Sequence, residues 1–203
     1  RDREVRAGKW SRAGLPRLAG KTFGIVGLGR IGRAVADLAA GLHLNVIAHD
    51  PLADAQFAAA RGIRLCEMDE LLATADIVSL HIPRTPKTEN MIDARALALM
   101  KPDAVLINTG RGGLVDEAAL AAAMHQGRLM GAALDVFDRE PLPLDSPLLD
   151  VPNLLLSTHT AGLDHQSEID MPRIAAECVA ALFRGEWPAA CVINRELHPG
   201  WRW

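Results

Sequence analysis

Apolar and polar positions along this chain alternate between short apolar runs and longer segments with a helical period. The first run spans 22–27 (Phe23, Ile25, Val26). It is followed over 30–42 by Ile31, Val35, Leu38, Ala39 and Leu42, spaced i, i+4, i+7, i+8, i+11 as on one helix face. The same reading predicts strands over 45–49, 63–65, 75–81, 104–108, 130–136 and 154–157. It predicts helices over 53–61, 68–73, 93–100, 116–126 and 166–184. Breakers mark the boundaries: Pro51, Gly62, Pro83, Pro86, Pro102, Gly127 and Gly185, with Asp116 placed to start the helix at 116. Residues 1–9 read as a short charged helix, and 191–193 as one more strand-like stretch.

Strand–helix units of this length predict an α/β fold, a doubly wound parallel sheet of Rossmann type. Right-handed crossovers place all strand C-termini on one edge, where such sheets bind ligands. The residues just after the predicted strands are therefore the candidates: 27–32, Asp50, 81–85, 109–112, 135–140 and 159–162. Residues 1–20 read as a connector arriving from elsewhere, 21–165 as the nucleotide-binding domain, and 166–203 as a C-terminal helix and tail.

Composition narrows the partners. The chain has 203 residues, 49% hydrophobic and 23% charged, with a net charge of −3. With no basic run, no nucleic-acid or membrane-surface partner is expected. No apolar run approaches the length of a membrane span, and no metal site is expected. Cys66, Cys178 and Cys191 lie far apart and read as reduced, mostly buried thiols of a cytoplasmic protein. Trp10, Trp201 and Trp203 lie near the chain ends, either by chance or to pack against a domain outside this sequence.

Gly27, Gly29 and Gly32 have the G-x-G-x-x-G spacing of a dinucleotide-binding turn between a strand and a helix. Gly27 suits the turn, Gly29 a close approach to pyrophosphate, and Gly32 the packing of helix on strand. Asp50 lies 18 residues after Gly32, at the end of the second strand. It can accept hydrogen bonds from ribose hydroxyls and repel a 2′-phosphate, or cap the next helix, or both. Arg111, Glu140 and His159 follow three further strands. As an anion anchor, a tuning carboxylate and an acid/base, they suit one site.

Several ordered motifs share a resemblance: V-R-A-G-K-W, G-I-V-G-L-G-R-I-G, H-D-P, H-I-P-R-T-P-K-T, I-N-T-G-R-G-G-L-V-D-E-A-A-L, G-A-A-L-D-V-F-D-R-E-P-L and S-T-H-T-A-G. Together they resemble the D-isomer-specific 2-hydroxyacid dehydrogenase family. The resemblance implies that Arg111, Glu140 and His159 are catalytic. It implies NAD contacts at Gly27, Gly29, Arg30, Ile31, Gly32, Asp50, His81, Ile82, Pro83, Thr88, Thr109, Gly110, Arg111, Asp135, His159, Ala161 and Gly162. His81 is assigned to lining the site, not to proton transfer. The resemblance further implies a homodimer, and a substrate domain that in this family precedes the point where the sequence begins. Gly110 departs from the family's usual alanine or serine, and Thr158 from its usual proline.

The activity so implied is NAD-dependent interconversion of a D-2-hydroxy acid and a 2-oxo acid. It would resemble glyoxylate or hydroxypyruvate reductase, or phosphoglycerate dehydrogenase. Three alternatives stay open at this point: an NAD-sensing corepressor-like protein, a relative acting on formate or phosphite, and a 203-residue molecule that binds NAD without turnover.

Overall fold

The computed structural model describes residues 2–12, 14 and 16–200. Seven strands form one all-parallel sheet: β1 (Thr22–Val26), β2 (Asn45–His49), β3 (Arg64–Leu65), β4 (Ile77–Leu80), β5 (Val105–Asn108), β6 (Gly131–Leu134) and β7 (Leu154–Leu156). Their order is β3-β2-β1-β4-β5-β6-β7, so the strand order reverses between β1 and β4. The register runs Val26↔Leu80, Leu80↔Asn108 and Asn108↔Leu134, aligning the strand ends along one edge.

Helices α1 (Asp2–Arg6), α2 (Arg30–Gly41), α3 (Ala55–Ala60), α4 (Met68–Thr74), α5 (Ala94–Leu99) and α6 (Glu117–His125) complete the first of two compact units, Arg1–His159. Two apolar layers hold this unit together. One joins Ile25, Val46 and Ala48 to Ala36, Ala39, Ala58 and Ile63 of the α2–α3 side. The other joins Val78, Leu80, Leu106 and Leu134 to Leu71, Leu97 and Leu120 of α4, α5 and α6.

The helix over 30–42 is present, and Ala39 and Val35 of its predicted face pack inward, but the buried face is turned away from the other three. Gly32, Ala36 and Ala39 are buried, whereas Ile31, Leu38 and Leu42 are 69%, 71% and 58% exposed. The cause is Gly32. A Cβ at that position would overlap the Gly27 carbonyl oxygen, so α2 meets β1 at backbone contact. Only the small residues one and two turns further on can share that approach, and the bulkier stripe is turned outward.

Aspartates cap three helices of this unit as their short carboxylates should: Asp54 for α3, Asp93 for α5 and Asp116 for α6. The cap of α3 is thus Asp54 and not Asp50. The thiols are less buried than expected: Cys66 and Cys178 are half-buried and Cys191 is exposed.

Asp76 fixes the opposite end of the sheet. It accepts from the Thr22 amide (2.7 Å) and from Lys21 Nζ and Lys101 Nζ (3.2 Å each). Burial opposes its charge, but the Thr22 amide and the Lys101 and Lys21 ammoniums outweigh burial and hold its carboxyl below the ordinary 3.8. A depressed folded-state pKa stabilises the fold fully above the unfolded value, and that contribution is lost as pH falls through the folded one. Asp76→Ala should therefore cost about 2 kcal/mol at pH 7, since it strands a backbone donor and two ammoniums. The difference from the parent in urea melts should shrink below pH 3.8.

The second unit is Thr160–Trp203. Its main element, α7 (His165–Phe183), starts with a capping box between Asp164 and Ser167, and Ile169, Ile174 and Phe183 on it are exposed. Residues 191–193 form no strand; a turn closed by the Cys191 amide on the Pro188 carbonyl stands there instead. An apolar triplet alone does not make a strand. Of the terminal tryptophans, Trp10 is 80% exposed, and Trp201 and Trp203 lie outside the described residues, as does Leu15. Among the described residues no helix is long and apolar enough to cross a membrane.

Candidate active site

The glycine turn leaves β1 under tight constraint. Gly27 has φ +97°, and a Cβ there would sit 2.5 Å from Ile82 Cγ2 and 2.7 Å from the His81 carbonyl oxygen. Its amide donates to His49 O at 2.9 Å, and the His81 amide donates to Val26 O at 2.7 Å. The turn is thereby wedged between the ends of β2 and β4. Gly29 is the opposite case: a Cβ there would meet nothing within 4 Å, so the backbone borders open space at the α2 N-terminus. Arg30 and Ile31 follow, both exposed. A closed seat at Gly32 and an open approach at Gly29 fit a pyrophosphate laid over free amides at a helix N-terminus.

Asp50 joins this turn from β2. One carboxylate oxygen accepts from the Leu28 amide and the other from the Leu52 amide, both at 2.8 Å. A carboxylate offers about four lone-pair positions, so acceptors remain for a ribose diol. A cavity of about 260 Å³ lies beside it, walled by Pro51, Leu65, Cys66 and Glu67. These features fit the adenosine end of NAD.

Three more strand ends carry the polar groups. After β4, His81 is half-buried and its Nε2 bonds Ser79 Oγ at 2.9 Å; burial pushes its imidazole pKa down and keeps it neutral. Thr88 closes the loop that begins with Ile82 and Pro83, donating to the Pro83 carbonyl and accepting from the Thr85 amide, both at 2.8 Å. Its hydroxyl is thus committed within the loop. After β5, the buried Asn108 folds the next loop back on itself. Its amide donates to Arg111 O (2.9 Å) and its carbonyl accepts from the Gly110 amide (3.0 Å). Thr109 and Arg111 are left exposed, and the Arg111 guanidinium bonds only the Gly110 carbonyl among the described residues.

After β6, Asp135 is 4% exposed and accepts from Ser157 Oγ at 2.6 Å. Its backbone carbonyl receives the His159 amide at 2.8 Å, joining the ends of β6 and β7. Glu140 closes the loop after Asp135: Oε1 accepts from the Phe137 amide at 3.0 Å and Oε2 from His159 Nδ1 at 2.7 Å. The His159 bond first, and the Phe137 amide second, hold the Glu140 carboxyl below the ordinary carboxylate range. An ionised carboxylate only accepts, so Nδ1 carries a hydrogen and Nε2 is the nitrogen left for another molecule. His159 has φ +58°, a left-handed backbone that a non-glycine residue seldom holds without a reason in its surroundings. A cavity of about 630 Å³ opens beside the pair, walled by Phe137, Pro141, Leu142, Leu149 and Leu156.

The first unit thus brings Gly27, Gly29, Gly32, Asp50, His81, Arg111, Asp135, Glu140 and His159 to one sheet edge. Ala161 and Gly162 fall in the second unit. Four contributors stand inside the quoted motifs, which assign them no role: Asn108, Ser157, Arg84 and Glu117. Arg84 spans Asp138 and Glu89, and Glu117 accepts the Asp138 amide at 2.7 Å. A buried polar residue at a strand end is the signal that marks Asn108; the others show only through tertiary contacts.

Comparison with known proteins identifies the family. A sequence profile described as "D-isomer specific 2-hydroxyacid dehydrogenase, NAD binding domain" matches residues 1–161. A glyoxylate reductase of Korarchaeum cryptofilum is 41% identical over 202 residues, covering 97% of this chain and 60% of that protein. A D-3-phosphoglycerate dehydrogenase of Archaeoglobus fulgidus is 38% identical, covering 91% and 35% respectively. Among solved structures, D-lactate dehydrogenase with NAD⁺ from Lactobacillus jensenii superposes with a TM-score of 0.84 at 32% identity, covering 91% of this chain and 60% of that one. The chain therefore spans about 60% or less of the length of these relatives. It belongs to the D-isomer specific 2-hydroxyacid dehydrogenase family and carries that family's NAD-binding domain.

Proposed function

We propose that the protein containing this chain interconverts a D-2-hydroxy acid and a 2-oxo acid with NAD(H), as glyoxylate or hydroxypyruvate reductases and phosphoglycerate dehydrogenases do. The observation that carries the reading is the Glu140–His159 pair, standing on the same sheet edge as the glycine turn and Arg111. Bound NADH supplies the hydride. The chain's own residues do the rest. Gly29, Arg30 and Ile31 hold the pyrophosphate and Asp50 the ribose. The loop holding Ile82, Pro83 and Thr88, together with Thr109, Gly110 and Asp135, lines the nicotinamide side. His159 gives a proton from Nε2 to the oxygen at C2, and takes it back in the reverse direction. Glu140 receives Nδ1–H and favours the charged ring. Arg111 binds the substrate carboxylate and stabilises negative charge on the neighbouring oxygen.

Arg111→Ala should lower kcat/KM for a 2-oxo acid by about 10³-fold, the scale of losing one anion-binding donor set at a reacting centre. Steady-state kinetics on the protein containing this chain tests it, and an unchanged kcat/KM would refute the assignment.

Asp50 supports NAD over NADP, because a second anion beside its carboxylate is repelled. We further propose residues 1–20 as an interdomain connector, 21–165 as the NAD-binding domain and 166–203 as the segment returning toward a substrate domain. A homodimer in the cytoplasm completes the proposal. The exposed Leu38 and Leu42 on α2 support the dimer, and sedimentation equilibrium measures it.

A further inference from the structure

One guanidinium joins three loops of this edge. Arg84, in the loop after β4, donates from Nη1 to Asp138 Oδ1 at 2.8 Å and from Nη2 to Glu89 Oε1. Asp138 stands two residues before Glu140, in the loop after β6. Between the two carboxylates the guanidinium lies over Gly113, where a Cβ would fall inside it; Gly113 also has φ +73°. The Gly113 carbonyl in turn accepts the Asn90 amide at 2.7 Å. Residues 82–90, 109–113 and 137–140 are thus fastened at a single point, and they contain the cofactor loop, Arg111 and Glu140.

We propose that Arg84 is a positioning residue that keeps the Glu140 carboxylate on His159 Nδ1, an inference that rests on the catalytic reading of that pair. Its value is geometric. Exposed ion pairs contribute little to stability singly. The loop also has other supports, since Glu117 accepts the Asp138 amide at 2.7 Å, and a Cβ at Gly112 would overlap the Phe137 carbonyl. Losing Arg84 therefore leaves the fold standing and lets the loop shift. A planar fork that meets two carboxylates while lying flat over a glycine is something lysine cannot reproduce. The cofactor loop keeps its own tie through Thr88.

The test has two arms. In steady-state kinetics with NADH and glyoxylate or hydroxypyruvate, Arg84→Met should lower kcat about tenfold, the scale of a sub-ångström displacement at a reacting centre. KM and NADH affinity should stay within about twofold, and Arg84→Lys should not restore the rate. In amide hydrogen exchange on the chain itself, Arg84→Met and Asp138→Asn should each speed exchange at Phe137 about tenfold, because that amide bonds Glu140; β1 should be unaffected. Unchanged Phe137 exchange in both variants, or an Arg84→Lys enzyme with full kcat, overturns the proposal. Full turnover in a His159→Gln variant overturns the catalytic reading instead, and the exchange arm still decides whether Arg84 holds the loop.

Discussion

His159→Gln should reduce kcat/KM for a 2-oxo acid by about 10³-fold, within the range expected for removing a positioned general acid. Glu140 is ionised, held so by His159 Nδ1–H and then by the Phe137 amide. That fixes the tautomer and turns Nε2 outward. Glutamine retains a donor for Glu140 but has no group that delivers a proton near neutral pH. NADH binding should change less than about fivefold, because the turn at Gly27–Gly32 and Asp50 is built from other strands. Fluorescence titration with NADH beside steady-state kinetics separates the two quantities. A parallel loss of binding and turnover would mean that His159 only shapes the site.

The second large effect concerns the two glycines of the turn. Gly32→Ala places a Cβ on the Gly27 carbonyl oxygen, backbone against backbone, with no flexible side chain to give way. Helix α2 must then move off β1. The expected cost is about 3 kcal/mol, the upper range for overpacking, with loss of NADH binding by at least about 100-fold as the amides shift. Gly29→Ala meets open space and should leave the melting temperature unchanged. Its NADH affinity should still fall about tenfold, because the added methyl occupies the approach to the pyrophosphate. Thermal melts and NADH titrations on both variants distinguish a packing glycine from a ligand-facing one. Equal destabilisation by the two would contradict the assignment.

How much of this was readable in the sequence follows from the range of the forces. Strand and helix positions came from local periodicity, and Gly27, Gly62, Gly127 and Gly185 at the ends of elements do adopt positive φ. The buried face of α2 did not, because hydrophobicity marks Ile31, Leu38 and Leu42 while the contact is dictated by Gly32 against a carbonyl 5 residues earlier. The 191–193 triplet is apolar enough for a strand but stands in a turn and bend, because three apolar residues carry no period. Glu140 and His159 were nameable from their motifs, yet their 2.7 Å bond depends on β6 and β7 being neighbours. Asn108, Ser157, Glu117 and Arg84 act through partners distant in the chain or through the backbone of a folded loop. The motifs contain these residues but do not name the partners they meet in the fold.

We propose that this sheet edge serves reduction of a 2-oxo acid by NADH. The most direct measurement follows NADH oxidation by the protein containing this chain with glyoxylate, hydroxypyruvate, pyruvate and a bulkier 2-oxo acid, with NADPH in parallel. Turnover of at least one 2-oxo acid is expected, faster with NADH than with NADPH. Tight NADH binding with no 2-oxo acid reduced would contradict it.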